Sequence, residues 1–150
     1  MSVTSKDLIV VGIGSSAGGL EALQILLSNL SNDLNCSYII AQHLSPTHRS
    51  MMVDLLARIT NLPVIEVQNA MLIKAKTIYI TPENTDIYVS NGKIYLKSIQ
   101  NTYGPKPSVN YFFNSLSQAY GTKSIGIILS GTGSDGAFGN AYYEKFSNSK

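Results

Sequence analysis

Leu8-Ile9-Val10-Val11 runs into Gly12-Ile13-Gly14-Ser15-Ser16-Ala17-Gly18-Gly19 and then into Leu20-Glu21-Ala22-Leu23-Gln24-Ile25-Leu26-Leu27. The first four residues, largely β-branched and bounded by glycine, predict a buried strand. The last eight predict a helix with an apolar stripe. The turn between them holds two serines among four glycines at the start of that helix. Unpaired N–H groups and the positive end of the helix dipole stabilise negative charge there. Such a turn can cradle a phosphate, or present a serine nucleophile beside donors for an oxyanion.

Working outward, the same strand-then-helix alternation recurs. Ser37-Tyr38-Ile39-Ile40-Ala41 predicts a second buried strand, ending at Gln42-His43-Leu44-Ser45-Pro46. From His48 to Ile59, Met51, Met52, Leu55, Leu56 and Ile59 fall at helical spacing. Leu62 to Val67 reads as a third strand, with Pro63 near its start. Three short β-prone runs follow at Thr77–Ile80, Asp86–Val89 and Lys93–Leu96, the last two joined by Ser90-Asn91-Gly92, a hairpin signal. Ser108 can cap a helix with Val109, Phe112, Phe113 and Leu116 on one face. Ser124–Leu129 is a further buried strand, followed by Ser130-Gly131-Thr132-Gly133-Ser134-Asp135-Gly136. The expected fold is α/β: a doubly wound, mostly parallel sheet of Rossmann-like type, with flanking helices and an inserted β-hairpin.

Composition narrows the function. A chain of 150 residues, 44% hydrophobic and 13% charged, fits one globular domain. A formal charge of +2 with scattered basic residues gives no footprint for nucleic acid. Cys36 is the single cysteine, so neither an internal disulfide nor a cysteine metal cluster is expected. The apolar runs are shorter than a membrane span and the first residues do not resemble a signal peptide, so the expectation is a cytoplasmic domain without direct membrane insertion.

Ligands of open α/β sheets bind outside the carboxyl ends of the strands. Ser16 follows the first strand, His43 the second and Asp135 the late strand, so a serine, an imidazole and a carboxylate occur once each where the fold would gather them. A serine hydroxyl needs an imidazole to take its proton, and the imidazole needs a carboxylate to hold its tautomer. Each also has a plainer role: Ser16 as a helix cap or phosphate contact, His43 as a loop histidine, Asp135 as a turn former before Gly136. Ser16 rather than Ser15 is the centre of a Gly-x-Ser-x-Gly spelling from Gly14 to Gly18. The phosphate reading is weaker. Gly12-x-Gly14-x-x-x-Gly18 is one residue off the dinucleotide fingerprint, the second strand ends without a ribose-binding acid, and no P-loop lysine occurs. The two histidines, His43 and His48, lack partners at metal-ligand spacing. The order Ser, His, Asp also differs from that of α/β-hydrolases.

At these residues the sequence resembles the catalytic domain of the chemotaxis protein-glutamate methylesterase (CheB) family, most closely the version in CheB/CheR fusions. The resemblance rests on Val11–Leu23, Gln42–Pro46 and Leu129–Ala137, with weaker agreement at Leu55–Arg58, Ile78–Pro82 and Pro107–Asn110. It implies that Ser16 is the nucleophile, His43 the general base and then acid, and Asp135 the group orienting His43. It further implies oxyanion donors from the backbone near Ala17 and around Thr132, with no cofactor. The implied substrate is a glutamate methyl ester on the cytoplasmic helices of a methyl-accepting chemoreceptor, with glutamine deamidation as a second activity and a CheR-type methyltransferase as a partner.

The sequence also departs from the family pattern. Ala17 stands where many relatives have threonine, Asn110 where aspartate is frequent, and Asn69-Ala70 where a glycine-containing turn is usual. No receiver domain is expected before the catalytic part, and the residues from Tyr142 to Lys150 do not resemble the family's closing helix. The expectation is therefore a CheB-type domain over residues 1–150 with its C-terminal part missing and its stability reduced. Alternatives are a catalytically impaired relative that binds receptor or partner, and a nucleotide-binding fold.

Overall fold

A computed structural model of the protein describes residues 7–15, 19–42, 51–83, 85–97 and 108–129. In chain order the elements are β1 (Ile9–Ser15), α1 (Leu20–Ser28), β2 (Cys36–Gln42), α2 (Met52–Ala57), β3 (Val64–Glu66), β4 (Met71–Leu72), β5 (Ile78–Ile80), β6 (Asp86–Ser90), β7 (Lys93–Lys97), α3 (Val109–Tyr120) and β8 (Ser124–Leu129). A short 3-10 turn, Gly121–Lys123, links α3 to β8.

Five strands form a parallel sheet in the order β3-β5-β2-β1-β8. β1 and β2 occupy its centre and are buried on both faces, which is why they read as continuous apolar runs rather than as an alternation. One face carries Val11, Ile13, Tyr38, Ile40 and Ile78 and packs against Leu23 and Leu27 of α1 and Met52 and Leu56 of α2. In each helix the two buried residues stand four apart, the spacing that stacks side chains along one stripe. The other face carries Val10, Ile39, Ala41 and Tyr79 and packs against Phe112, Phe113 and Leu116 of α3. Helices on both faces make this the doubly wound α/β architecture that the sequence predicts.

The hairpin forms as expected. β6 and β7 pair antiparallel, and Asn91 and Gly92 both take the positive φ, 53° and 76°, of a tight turn. β4 adds to β7, so the insertion is a small three-stranded sheet, β4-β7-β6. Its inner residues Ile87, Val89 and Ile94 cover α3 from outside. The first β-prone run of the middle, β5, joins the parallel sheet, between β2 and β3. Tyr79 of β5 ties the two sheets together: its hydroxyl accepts from the Lys74 N–H at 2.8 Å and donates to the Leu72 carbonyl at 3.1 Å.

Two local findings differ from the sequence reading. The first strand does not stop at Val11 but continues through Gly12, Ile13 and Gly14 to Ser15, in register with β2 and β8 throughout. The cause is α3, which lies so close to β1 that a Cβ on Gly12 would stand 2.8 Å from Leu116 Cδ2, and one on Gly14 2.7 Å from Val109 Cγ1. These glycines serve close packing rather than a turn. Met51, expected on the buried stripe of α2, is 63% exposed because the helix begins one residue later.

Candidate functional site

In the parallel sheet the chain leaves β1 towards β2 on one side, and later returns to its other side as β8. β1 therefore borders the topological switch point, where the crevice outside the carboxyl ends of the strands receives ligands in folds of this kind. At that edge the register is level. Ser15, the last residue of β1, pairs with Gln42, the last of β2, and with Leu129, the last of β8. Adjacent strands are about 4.8 Å apart, so the chain enters the segments beginning at residues 16, 43 and 130 from three side-by-side strand ends. Ser16, Ala17, His43, Thr132 and Asp135 themselves lie outside the described residues.

The frame around this edge is tightly built. Gly19 caps α1 without a side-chain hydrogen bond, and a Cβ there would collide with Ser15 Oγ and stand 3.1 Å from the Leu129 carbonyl oxygen. The N-terminus of α1 is thus pressed onto the ends of β1 and β8. On the opposite face Val109, the first residue of α3, lies over Gly14. Ser108 caps α3 by accepting from the Tyr111 N–H at 3.2 Å, as the sequence suggests. The Ser108 N–H in turn donates to Asp86 Oδ1 at 2.6 Å, and Asp86 is buried. Both helix N-termini therefore lie at the strand-end edge, directing their positive ends towards it.

Ser15 is 3% exposed. Burial at the end of a strand, against the start of α1, suits a packing residue rather than one that must reach a substrate. Gln42 is 6% exposed, and neither its amide nitrogen nor its oxygen has a hydrogen-bond partner. Thr81, just past β5, likewise buries an unpaired hydroxyl. Leaving a buried polar group unpaired costs about 1–3 kcal/mol. The sequence hint for Gln42 was a polar residue ending the apolar run Ile39-Ile40-Ala41. The Asp86–Ser108 link had no sequence signal.

Among the described residues no three His, Cys, Asp or Glu side chains come together as a metal site. Tyr38 has its phenol pushed up to about 12 by burial and, secondarily, by Cys36. It stands four residues before Gln42 on β2, roughly 13 Å along the strand, and so is remote from the strand ends. No helix among the described residues is long and apolar enough to cross a membrane.

Comparison with known proteins bears on this frame. Residues 11–145 match the family described as CheB methylesterase. The chain is 34% identical over 135 residues to protein-glutamate methylesterase/protein-glutamine glutaminase 1 of Syntrophus aciditrophicus, covering 89% of this chain and 39% of that protein. It is 32% identical over 139 residues to the protein-glutamate methylesterase/protein-glutamine glutaminase of Archaeoglobus fulgidus, covering 90% and 40%. The chain thus spans about two fifths of the length of these relatives. The crystal structure of the Thermotoga maritima CheB methylesterase catalytic domain superposes with a TM-score of 0.76 at 26% identity, covering 93% of this chain and 76% of that one. The fold, the level strand ends at its switch point and the match over residues 11–145 lead to one conclusion: the chain belongs to the CheB methylesterase family.

Proposed function

We propose that this chain hydrolyses glutamate methyl esters on chemoreceptors through Ser16, His43 and Asp135. The observation that carries the reading is the level register of Ser15, Gln42 and Leu129 at the switch point, because the segments holding the three residues begin there. The burial of Ser15 adds support for its neighbour as nucleophile.

Ser16 Oγ attacks the ester carbonyl carbon while His43 takes the hydroxyl proton. Asp135 orients the imidazole and stabilises it once charged. Backbone N–H groups near Ala17 and around Thr132 receive the oxyanion; the first group benefits from the start of α1. His43 passes its proton to the departing methoxide, methanol leaves, and an acyl-enzyme remains. Water then attacks the acyl carbon with His43 as base, releasing glutamate and restoring Ser16. The same sequence with ammonia as leaving group converts glutamine to glutamate, the second activity in the names of the relatives. The chain's own residues supply every group. The substrate is the methylated cytoplasmic helix of a receptor, and a CheR-type methyltransferase supplies the ester.

The test is methanol release from a methylated receptor fragment. Wild type is expected to release it, while Ser16→Ala and His43→Ala fold normally and lose the activity. Undiminished release by Ser16→Ala would refute the assignment. Wild type that binds the receptor without releasing methanol would favour a binding module instead.

A further inference from the structure

The inserted three-stranded sheet has an outer face. Ile87, Val89 and Ile94 turn inward to the core beside α3, so the residues that alternate with them along β6 and β7 turn outward. Cross-strand pairing sets Tyr88 opposite Tyr95 and Ser90 opposite Lys93, and β4 brings Leu72 opposite Lys93. The rings of Tyr88 and Tyr95 stack, with centroids 5.1 Å apart and planes inclined by 15°. Tyr111, in the first turn of α3, meets Tyr88 edge-on at 6.3 Å, and Lys97 Nζ stands 5.0 Å from the centre of the Tyr111 ring. Leu72 is 54% exposed and Lys97 is exposed, so this face opens to solvent.

A cross-strand aromatic stack is by itself an ordinary source of sheet stability. It does not account for the aromatic surface continuing onto α3 through Tyr111, nor for the two lysines that flank it. Among the described residues neither Lys93 nor Lys97 has an ion-pair partner, and none of the three phenol hydroxyls has a hydrogen bond. Asp86, across from Lys97, is buried and accepts from the Ser108 N–H. Tyrosine is favoured where proteins bind one another, because its rigid ring buries apolar area while its hydroxyl still bonds. Unpaired lysines at the rim of such a surface select a partner of opposite charge. Lys93 and Lys97 are four residues apart on β7, roughly 13 Å along the strand. That distance is the rise of about nine helical residues, or two and a half turns. A helix laid along β7 thus meets both lysines with its carboxylates and rests its apolar stripe on the tyrosines. The surface also reaches the strand-end edge, since Tyr111 follows Val109, which lies over Gly14.

We propose that Tyr88, Tyr95 and Tyr111, with Lys93 and Lys97, form a docking surface for an acidic helix: the glutamate-bearing receptor helix whose esters the chain hydrolyses. The partner's identity rests on the methylesterase reading. Each hydrolysis turns an ester into a carboxylate, so the helix gains the charge that the lysines attract as its sites are processed.

The test compares the double variant Lys93→Glu, Lys97→Glu with wild type. The probe is a fluorescent receptor-helix fragment with glutamate at its modification sites, followed by anisotropy at low ionic strength. Binding is expected to weaken on the order of tenfold in the double variant, with an unchanged melting temperature. Tyr95→Ser is expected to lose binding to a similar degree without any change of charge. For methanol release from the methylated fragment, KM should rise on the order of tenfold in the double variant while kcat stays within about twofold. Release from the γ-methyl ester of N-acetylglutamate, which has no helix to dock, should be unchanged. Undiminished binding by the double variant overturns the proposal. So does an equal loss on the small ester, which places the effect at the reacting centre, and so does a single-stranded oligonucleotide that displaces the fragment at lower concentration than unlabelled fragment. Wild type that binds the fragment through these lysines yet releases no methanol overturns the methylesterase reading and leaves the docking surface standing. Wild type that releases methanol beside a double variant of equal KM overturns the docking surface alone.

Discussion

Ala70 takes a φ of 63°, the left-handed region in which a Cβ is strained. It lies in the turn before β4, directly after Asn69. Asn69 offsets part of the cost, since its Oδ1 accepts from the Leu96 N–H at 3.0 Å. Ala70→Gly is expected to raise stability by about 1 kcal/mol, read as a higher urea midpoint. An unchanged or lower midpoint would count against strain at this position. Tyr38 makes a pH-dependent contribution. Its folded pKa, about 12, lies above the ordinary phenol value of 10.0, so the folded state holds that proton more tightly than the unfolded state. The associated stability is whole below pH 10 and is lost as pH rises through about 12. Tyr38→Phe should flatten the fall in melting temperature over that interval; an identical fall would exclude Tyr38 as its source. At this scale the sequence prefers Ser16 to Ser15 by glycine spacing alone; Ser15 is buried, and Ser16 lies outside the described residues.

Among the elements, α3 was the most legible. Its stripe of Phe112, Phe113 and Leu116 and its Ser108 cap were readable because both signals are local. Ser108→Ala should lower stability by about 1 kcal/mol in a denaturant melt, and an unaltered midpoint would mean the cap is idle. The extent of β1 was not legible. Glycines in a strand and glycines in a turn look alike in one dimension, and what separates them is a helix nearly a hundred residues away. Gly14→Ala brings a Cβ against Val109 and is expected to cost about 1–3 kcal/mol. The length of α2 was overestimated for a related reason: helical spacing at Met51 says nothing about whether the chain has yet turned towards the core.

For the whole molecule, alternation of strands and helices was enough to predict a doubly wound sheet, and Asn91-Gly92 to predict the hairpin. The position of β5 was not readable, because Thr77–Ile80 carries the same β-prone composition as the hairpin strands and only long-range pairing with β2 and β3 assigns it to the main sheet. For the site, the sequence offers three chemically suited loops after three strands, and the loops themselves lie outside the described residues. The strand order adds that β1, β2 and β8 are neighbours and finish level, which sequence alone cannot supply because pairing is non-local. The account therefore stands on one serine at the β1 end being activated by one histidine after β2. Treating the chain with a serine-directed fluorophosphonate and mapping the adduct by mass spectrometry tests this. The expected result is a single adduct on Ser16 that disappears in His43→Ala; an adduct on Ser15, or labelling of Ser16 that persists without His43, would show the site to be wrongly assigned.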